Sequence, residues 1–434
     1  MLETTIAIQV QRWTSICALA LIAATYKLWI PQTVFPQVPV FESLCASPSS
    51  IDWISLGCLI VGLVWLAVWP VSRFQSGAIC LVLVSLLMLV CLDQHRFQPW
   101  AYQLGLFATI WLCCHDIRLR LNWMRTLILG IYFYSAVGKL DFEFLHSVGQ
   151  QMLGVMAKWI GQDLTIMPDS SRIALVAIFP VVELAIAVGL LWTKSRRVAG
   201  VFAIGLHLIL VAVLGPFGLN HRPGVLIWNA QFAVQAFLLF VVVQVADGTQ
   251  DESAIGRRQS GFFKFTNRMQ KSLCIAMVVV VSIMPCSERF GIWDHWPSWA
   301  LYAPHSSRVR VEIASPSVSR LPASLAPLVK SSADDGEAMV WLQVPMDAWS
   351  LKTLDTPIYP QSRFQLGVAR HIASEINSEF EIRITIFGMA DRFTGQRKML
   401  TLEGDERIAK SNDLFWLNSK PRRKLIHFFS SIPR

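Results

Sequence analysis

Charge is scarce in this chain. Only 15% of its 434 residues are Asp, Glu, Lys or Arg, against roughly a quarter in an ordinary globular protein, which excludes a fully water-facing surface over most of the length. No Cys-x-x-Cys pair occurs among the nine cysteines, so a dithiol redox pair or a cysteine metal knuckle has no basis. All but Cys45 and Cys286 read as small membrane-helix residues. No glycine-rich phosphate loop, nucleophile-and-base signature or metal-ligand spacing is visible, and no metal is expected. The N-terminus carries too few basic residues for a cleaved signal, so the apolar residues 14–30 read as a signal anchor.

What the chain has instead is apolar length, 54% of its residues being hydrophobic. A bilayer core about 30 Å thick needs roughly 17 to 25 apolar residues at 1.5 Å each. Runs of that kind fall at residues 14–30, 52–70, 76–92, 99–115, 121–138, 173–193, 198–215, 224–246 and 270–285. The fold expected is therefore an α-helical polytopic membrane bundle of about nine transmembrane helices over residues 1–302, with a lipid bilayer as its first partner. Lys27 and Lys271 lie close to span ends and are expected to snorkel.

Loop charge orients the spans, because basic residues collect on the cytoplasmic side. One side receives Arg12, Arg73, then Arg118, Arg120 and Arg125, then Lys194, Arg196 and Arg197, then Arg257, Arg258, Lys264, Arg268 and Lys271. The other receives none in residues 31–51, then Arg96, a balanced loop over 139–172, and Arg222. The expectation is a multi-pass protein of the cell (cytoplasmic) membrane with its N-terminus inside and everything after Pro285 outside. The formal charge of +9 is then a matter of topology, with a further basic cluster from Lys420 to Lys424, and no nucleic-acid partner is expected. Cys45 and Cys286 share the oxidising face, where they either pair as a disulfide or stay as two thiols.

Residues 303–434 change character to short alternating runs. Residues 309–313, 339–344, 381–387 and 398–402 read as strands and 363–376 as a helix, a small α+β extracytoplasmic domain, with residues 315–333 a mobile Ser- and Pro-rich loop.

Polar residues at membrane depth are the functional candidates. Glu183 lies 11 residues before Lys194 and His207 lies 10 after Arg197, which places both about 15 to 16 Å from the inner face. They are expected to hydrogen-bond, either as a proton-sharing pair or as plain helix glue. Trp228 and Asn229 follow near the outer end of the eighth span, and Asn229 is suited to line a cavity; Gln235 reads as glue. Lys139 ends the fifth span beside Tyr134. A lysine drawn out of water loses proton affinity and can serve as a general base, the alternative being an interfacial snorkeller. Aromatic neighbours would wall a flat ligand such as a quinone. Residues 142–160 are amphipathic and suited to lie on the outer surface, and the loop ending in Trp100 offers a further wall.

The segment YFYSAVGKLDFEFLHSVGQQM, residues 132–152, resembles the part of vitamin K-dependent gamma-carboxylases, and of the related horizontally transferred transmembrane domain proteins, that ends a helix with a GxKKLD-like motif. Residues 202–229 are similar to the relatives' helix with a mid-membrane His followed by a Trp-Asn motif, and WPSWALY, residues 296–302, to their segment after the last span. DoxX-type and MauE-type proteins share some of this look more weakly. The resemblance covers about residues 10–305 and implies that Lys139 is the base acting on a quinol. It implies catalytic Lys139, His207 and Glu183 around an outward-facing cavity, with Tyr134, Trp228, Asn229 and Trp100 as ligand-binding residues and a quinone as ligand or cofactor. Where the carboxylases carry two lysines this chain has Gly138 and Lys139, and Trp100 stands where a histidine belongs. The alternative is a non-enzymatic membrane scaffold whose outer domain recruits a protein partner.

Overall fold

The computed structural model describes residues 2–242, 261–329, 340–378, 380–403 and 411–423. Each of the nine apolar runs falls on a helix: α1 (Leu2–Ala24), α3 (Ser50–Val68), α4 (Gln75–Leu92), α5 (Pro99–Cys113), α6 (Ile117–Lys139), α9 (Asp169–Leu191), α10 (Thr193–Leu214), α11 (Pro223–Ala236) and α12 (Gly261–Ile283). A short α2 (Tyr26–Trp29) follows α1, and α7 (Phe142–His146) and α8 (Val148–Trp159) follow α6. Among the described residues, seven helical segments are long and apolar enough to cross a membrane; α5 and α6 are not among them. The first helix starts well before the expected residue 14 and stops at Ala24, where the Thr25 hydroxyl caps the Leu21 carbonyl at 2.7 Å.

Sequence chemistry sets the helix ends. The Asp116 carboxylate accepts from the Leu119 amide at 2.9 Å and starts α6, while Pro99 and Pro223 sit in the first turns of α5 and α11, where a missing N–H costs nothing. The tail of α11 widens into a π-helical turn over Phe237–Val242. Its freed Leu239 carbonyl is taken at 2.7 Å by Arg125 Nε. Arg125 is thus a buried residue inside α6 rather than the loop residue the charge pattern suggested.

The helices pack as α6 on α9, α9 on α10, α10 on α11, α11 on α1, α1 on α3 and α3 on α4. Gly62 permits the last contact, since a Cβ there would lie 2.8 Å from Val82 Cγ2.

The C-terminal domain holds an antiparallel sheet in the order β2-β1-β3-β4, built from β1 (Arg308–Ala314), β2 (Trp341–Val344), β3 (Ile382–Phe387) and β4 (Met399–Glu403). Val311 pairs with both Val344 and Ile384, and Thr385 with Thr401. Helix α13 (Met346–Leu354) leads towards α14 (Ser362–Ile376), which lays Phe364, Val368, Ile372 and Ile376 against β1 and β3. The expected mobile loop is partly ordered: residues 315–320 and 326–328 form 3-10 turns, with Leu321 and Leu325 buried, and the rest from 330 lies outside the described residues.

Two ion pairs and a hydrogen bond tie this domain to the bundle. Lys27 meets Asp355 at 2.7 Å and Arg422 meets Asp52 at 2.7 Å, while Arg363 Nε donates to Gln94 Oε1 at 2.8 Å. Lys27 thus reaches the sheet domain through Asp355; the Lys271 side chain lies outside the described residues.

Candidate functional site

One face of α6 carries Tyr132, Ser135 and Lys139, spaced three and four residues apart so that they stack along the same side. All three are buried. Lys139 Nζ donates at 2.6 Å to Ser135 Oγ and at 2.6 Å to Glu183 Oε2 from α9. The two charged side chains keep 10% and 13% of their exposure. Charges withdrawn this far from water persist only when paired, because desolving an isolated ion in the low-dielectric interior costs several kcal/mol.

About 10 Å further down the same face, Tyr132 Oη lies 2.6 Å from His207 Nε2, and His207 Nδ1 lies 3.0 Å from Asn229 Oδ1. Asn229 Nδ2 donates to the Val225 carbonyl at 2.9 Å, which leaves Oδ1 as the acceptor for the ring. His207 therefore carries its proton on Nδ1, and Nε2 accepts from the Tyr132 hydroxyl. Phe232 stacks on the imidazole with centroids 4.9 Å apart and planes 8° from parallel, and Trp228 packs on Phe232 at 5.1 Å.

The structure thus gives Glu183 and His207 different partners from those expected. Helix α6 stands between the choices: Lys139 takes the glutamate and Tyr132 takes the histidine. Trp228 turns its Nε1 to Gln103 Oε1 at 3.0 Å, and Gln103 reaches Gln235 Oε1 at 2.9 Å, a polar ladder across α5 and α11. Tyr134, five residues back from Lys139 and so about 140° round the helix, bonds the Ser282 carbonyl and lies 3.3 Å from Cys286 Sγ. Trp100 packs against Trp29 at 5.2 Å. Of the expected constellation, Lys139, Glu183, His207 and Asn229 lie along one seam; Tyr134, Trp228 and Trp100 face other helices. Tyr132, Ser135 and Phe232 are the seam residues that sequence reasoning missed, although the helical spacing of the first two with Lys139 was there to be read.

Of the two alternatives for Cys45 and Cys286, the structure has two free thiols. The loop before α3 folds under the C-terminal segment, where Cys45 Sγ meets Asn418 Nδ2 at 3.5 Å, whereas Cys286 stays beside Tyr134.

Ala300 and Ala303 lie over Gly138, at 3.5 to 3.7 Å from where a Cβ would be, so the segment entering the sheet domain covers the end of α6. Helix α8 packs on α9 and α10, and a cleft of about 500 Å³ opens along it between Gln151, Lys158 and Phe217. Lys139 does not line that cleft.

Between α4 and α5 a second polar layer faces the sheet domain. His95 Nε2 lies 2.7 Å from the Pro357 carbonyl and its ring is fully buried, and burial lowers its pKa to about 4 despite that carbonyl. Burial likewise raises Asp93 to about 6, against the pull of Arg96 and of the His95 and Val38 amides.

Compared with protein-family models, curated proteins and solved structures, the chain matches none.

Proposed function

We propose that the chain is a nine-span protein of the cell membrane, N-terminus inside and sheet domain outside, whose Lys139–Glu183 pair exchanges a proton with an apolar quinone-class ligand. The observation that carries this is the 2.6 Å contact between Lys139 Nζ and Glu183 Oε2, almost out of reach of water. For stability alone such a pair is a poor choice, since well-packed apolar residues of similar volume often serve as well or better. Ionisable residues at membrane depth mark ligand or proton paths. A proton passing along that hydrogen bond turns ammonium and carboxylate into amine and carboxylic acid. The amine can then accept a quinol O–H proton while Glu183 holds the first one. Tyr132, His207 and Asn229 continue the hydrogen-bonded seam inward, with Phe232 stacked on the imidazole. The resemblance to the carboxylases supports the same assignment of Lys139.

A second reading is a scaffold in which these residues only hold helices together. It is favoured by the partnering of His207 on both ring nitrogens and of Lys139 by two acceptors, as interhelical glue requires.

The two readings part under photolabelling. A photoreactive naphthoquinone, irradiated with the full-length chain in lipid bilayers and competed by unlabelled naphthoquinone, is expected to label peptides of α6 and α9. Absence of any competed label there rejects the ligand.

A further inference from the structure

Immediately outside α12, a 3-10 turn over Met284–Phe290 presents Glu288, and the loop that leads to β1 presents His295 and His305. All three side chains are buried, with 4%, 3% and 0% exposure. His295 Nδ1 lies 2.8 Å from Glu288 Oε1, and His305 Nε2 lies 3.1 and 3.2 Å from the two carboxylate oxygens. The rings meet edge to face, with centroids 4.9 Å apart and planes at 74°, so both nitrogens converge on one carboxylate from different sides.

We propose that Glu288, His295 and His305 bind a divalent transition metal ion of the zinc class at the junction of the last membrane helix and the outer domain. The three ligand atoms lie within 4.8 Å of one another. Tetrahedral zinc with bonds of about 2.0 to 2.2 Å holds its ligand atoms about 3.4 Å apart, so no pair here has to change its separation by more than about 1.4 Å to fit the ion. Two imidazole nitrogens with one carboxylate suit zinc and its neighbours rather than calcium or magnesium, which prefer oxygen alone. Three protein ligands also leave a fourth position open to water or the second Glu288 oxygen.

The surroundings are those of a ligating histidine. As it stands, His305 Nε2–H donates to Glu288 while Nδ1 faces an Arg289 N–H at 3.3 Å. When Nε2 gives its electron pair to a metal, the ring proton moves to Nδ1, which lies 3.9 Å from Asp141 Oδ2. A carboxylate behind a metal-bound imidazole is the commonest supporting arrangement, and it fixes both ring orientation and tautomer. Asp141 is itself held by Arg289 at 2.8 Å and by the Glu143 amide at 2.9 Å. Arg289 and Arg392 lie against Glu288 and Asp141, so two cations face the two carboxylates of the cluster.

The backbone between the two histidines is held in an unusual shape. Trp299 at φ 59° and Tyr302 at φ 58° both occupy the left-handed region, which bulky residues seldom enter. Such outliers persist where surrounding structure over-determines them, and they cluster at ligand sites. The ion would staple Glu288 on the membrane side to His305, whose backbone carbonyl already accepts from the Ala390 amide of the outer domain at 2.9 Å.

The test uses the full-length chain purified in detergent without chelator, with metal content read by mass spectrometry. About one zinc per chain is expected, falling at least about tenfold in His305→Ala and in Glu288→Gln. Asp141→Asn, which leaves every ligand in place, is expected to weaken zinc affinity about 10- to 100-fold. To separate lost binding from lost folding, wild-type protein is stripped with chelator and refilled with Co2+, whose visible absorption reports a tetrahedral site. Monodisperse wild-type protein that neither retains zinc nor develops the Co2+ band overturns the proposal, as do folded variants with undiminished zinc. Both readouts are independent of any quinone.

Discussion

Asp52 and Arg96 face each other at 2.6 Å with neither side chain reaching water at all. The other Asp52 oxygen accepts from Arg422 at 2.7 Å, so one carboxylate joins the start of α3, the loop after α4 and the C-terminal segment. Removing one partner of a buried pair leaves the other charge uncompensated and typically costs about 3 to 5 kcal/mol. Asp52→Asn is therefore expected to lower the thermal midpoint of the detergent-solubilised protein more than Arg422→Ala does. Equal small shifts would show that the pair is not structural.

The layer at Asp93 and His95 makes an acid-stability prediction. His95 falls from 6.5 to about 4 on folding, so its contribution is present above pH 6.5 and is lost as pH drops through about 4. Asp93 rises from 3.8 to about 6, so its contribution is present below pH 3.8 and is lost as pH climbs through about 6. At about 1.4 kcal/mol per unit each is worth roughly 3 kcal/mol, and the two oppose one another. Wild-type protein is expected to change little in thermal midpoint between pH 6.5 and 4.5 on their account. Asp93→Asn, which keeps an acceptor for the His95 amide, should instead lose stability as pH falls. If acidification affects wild type and variant alike, the two groups do not balance.

Packing of α8 turns on one residue. A Cβ on Gly149 would sit 2.2 Å from Val176 Cγ1 and 2.8 Å from the Phe144 carbonyl, and backbone cannot yield as a side chain does. Gly149→Ala is expected to destabilise by about 1 to 3 kcal/mol. Gly154, five residues on, has nothing within 4 Å of that position. Gly154→Ala should stabilise by up to about 1 kcal/mol through helix propensity. Thermal unfolding of the two variants side by side decides the point.

Tyr132→Phe changes almost no volume and removes the donor to His207 Nε2. A buried acceptor left unpaired costs about 1 to 3 kcal/mol, so the midpoint should fall by more than for Phe133→Leu, a half-exposed neighbour.

The elements that were legible in the sequence were those with long or strict periods. Nine apolar runs became helices, and the alternation in residues 309–313, 381–387 and 398–402 became β1, β3 and β4. The order of the helices could be counted too, and Glu183 and His207 do lie on the packed neighbours α9 and α10. Rotation could not. Whether Glu183 meets His207 or Lys139 depends on which faces of α6, α9 and α10 turn together, and the lysine's long stem lets a residue at the helix end reach inward. Glu288, His295 and His305 were invisible for another reason. Their spacings of 7 and 10 residues match no finger pattern, and the chain between them turns through left-handed residues at Gly291, Trp299 and Tyr302. The choice between a Cys45–Cys286 disulfide and two thiols stayed open in the sequence because topology gives a side of the membrane, not a distance.

The most direct test of the Lys139–Glu183 assignment is a titration of purified protein with a short-chain naphthoquinol, followed by tryptophan fluorescence. The account predicts saturable binding that weakens at least about tenfold, some 1.4 kcal/mol, in both Lys139→Ala and Glu183→Gln, while Gly154→Ala binds as wild type. Folded variants that bind the quinol as tightly as wild type, or a folded wild type that does not bind it, would contradict the account.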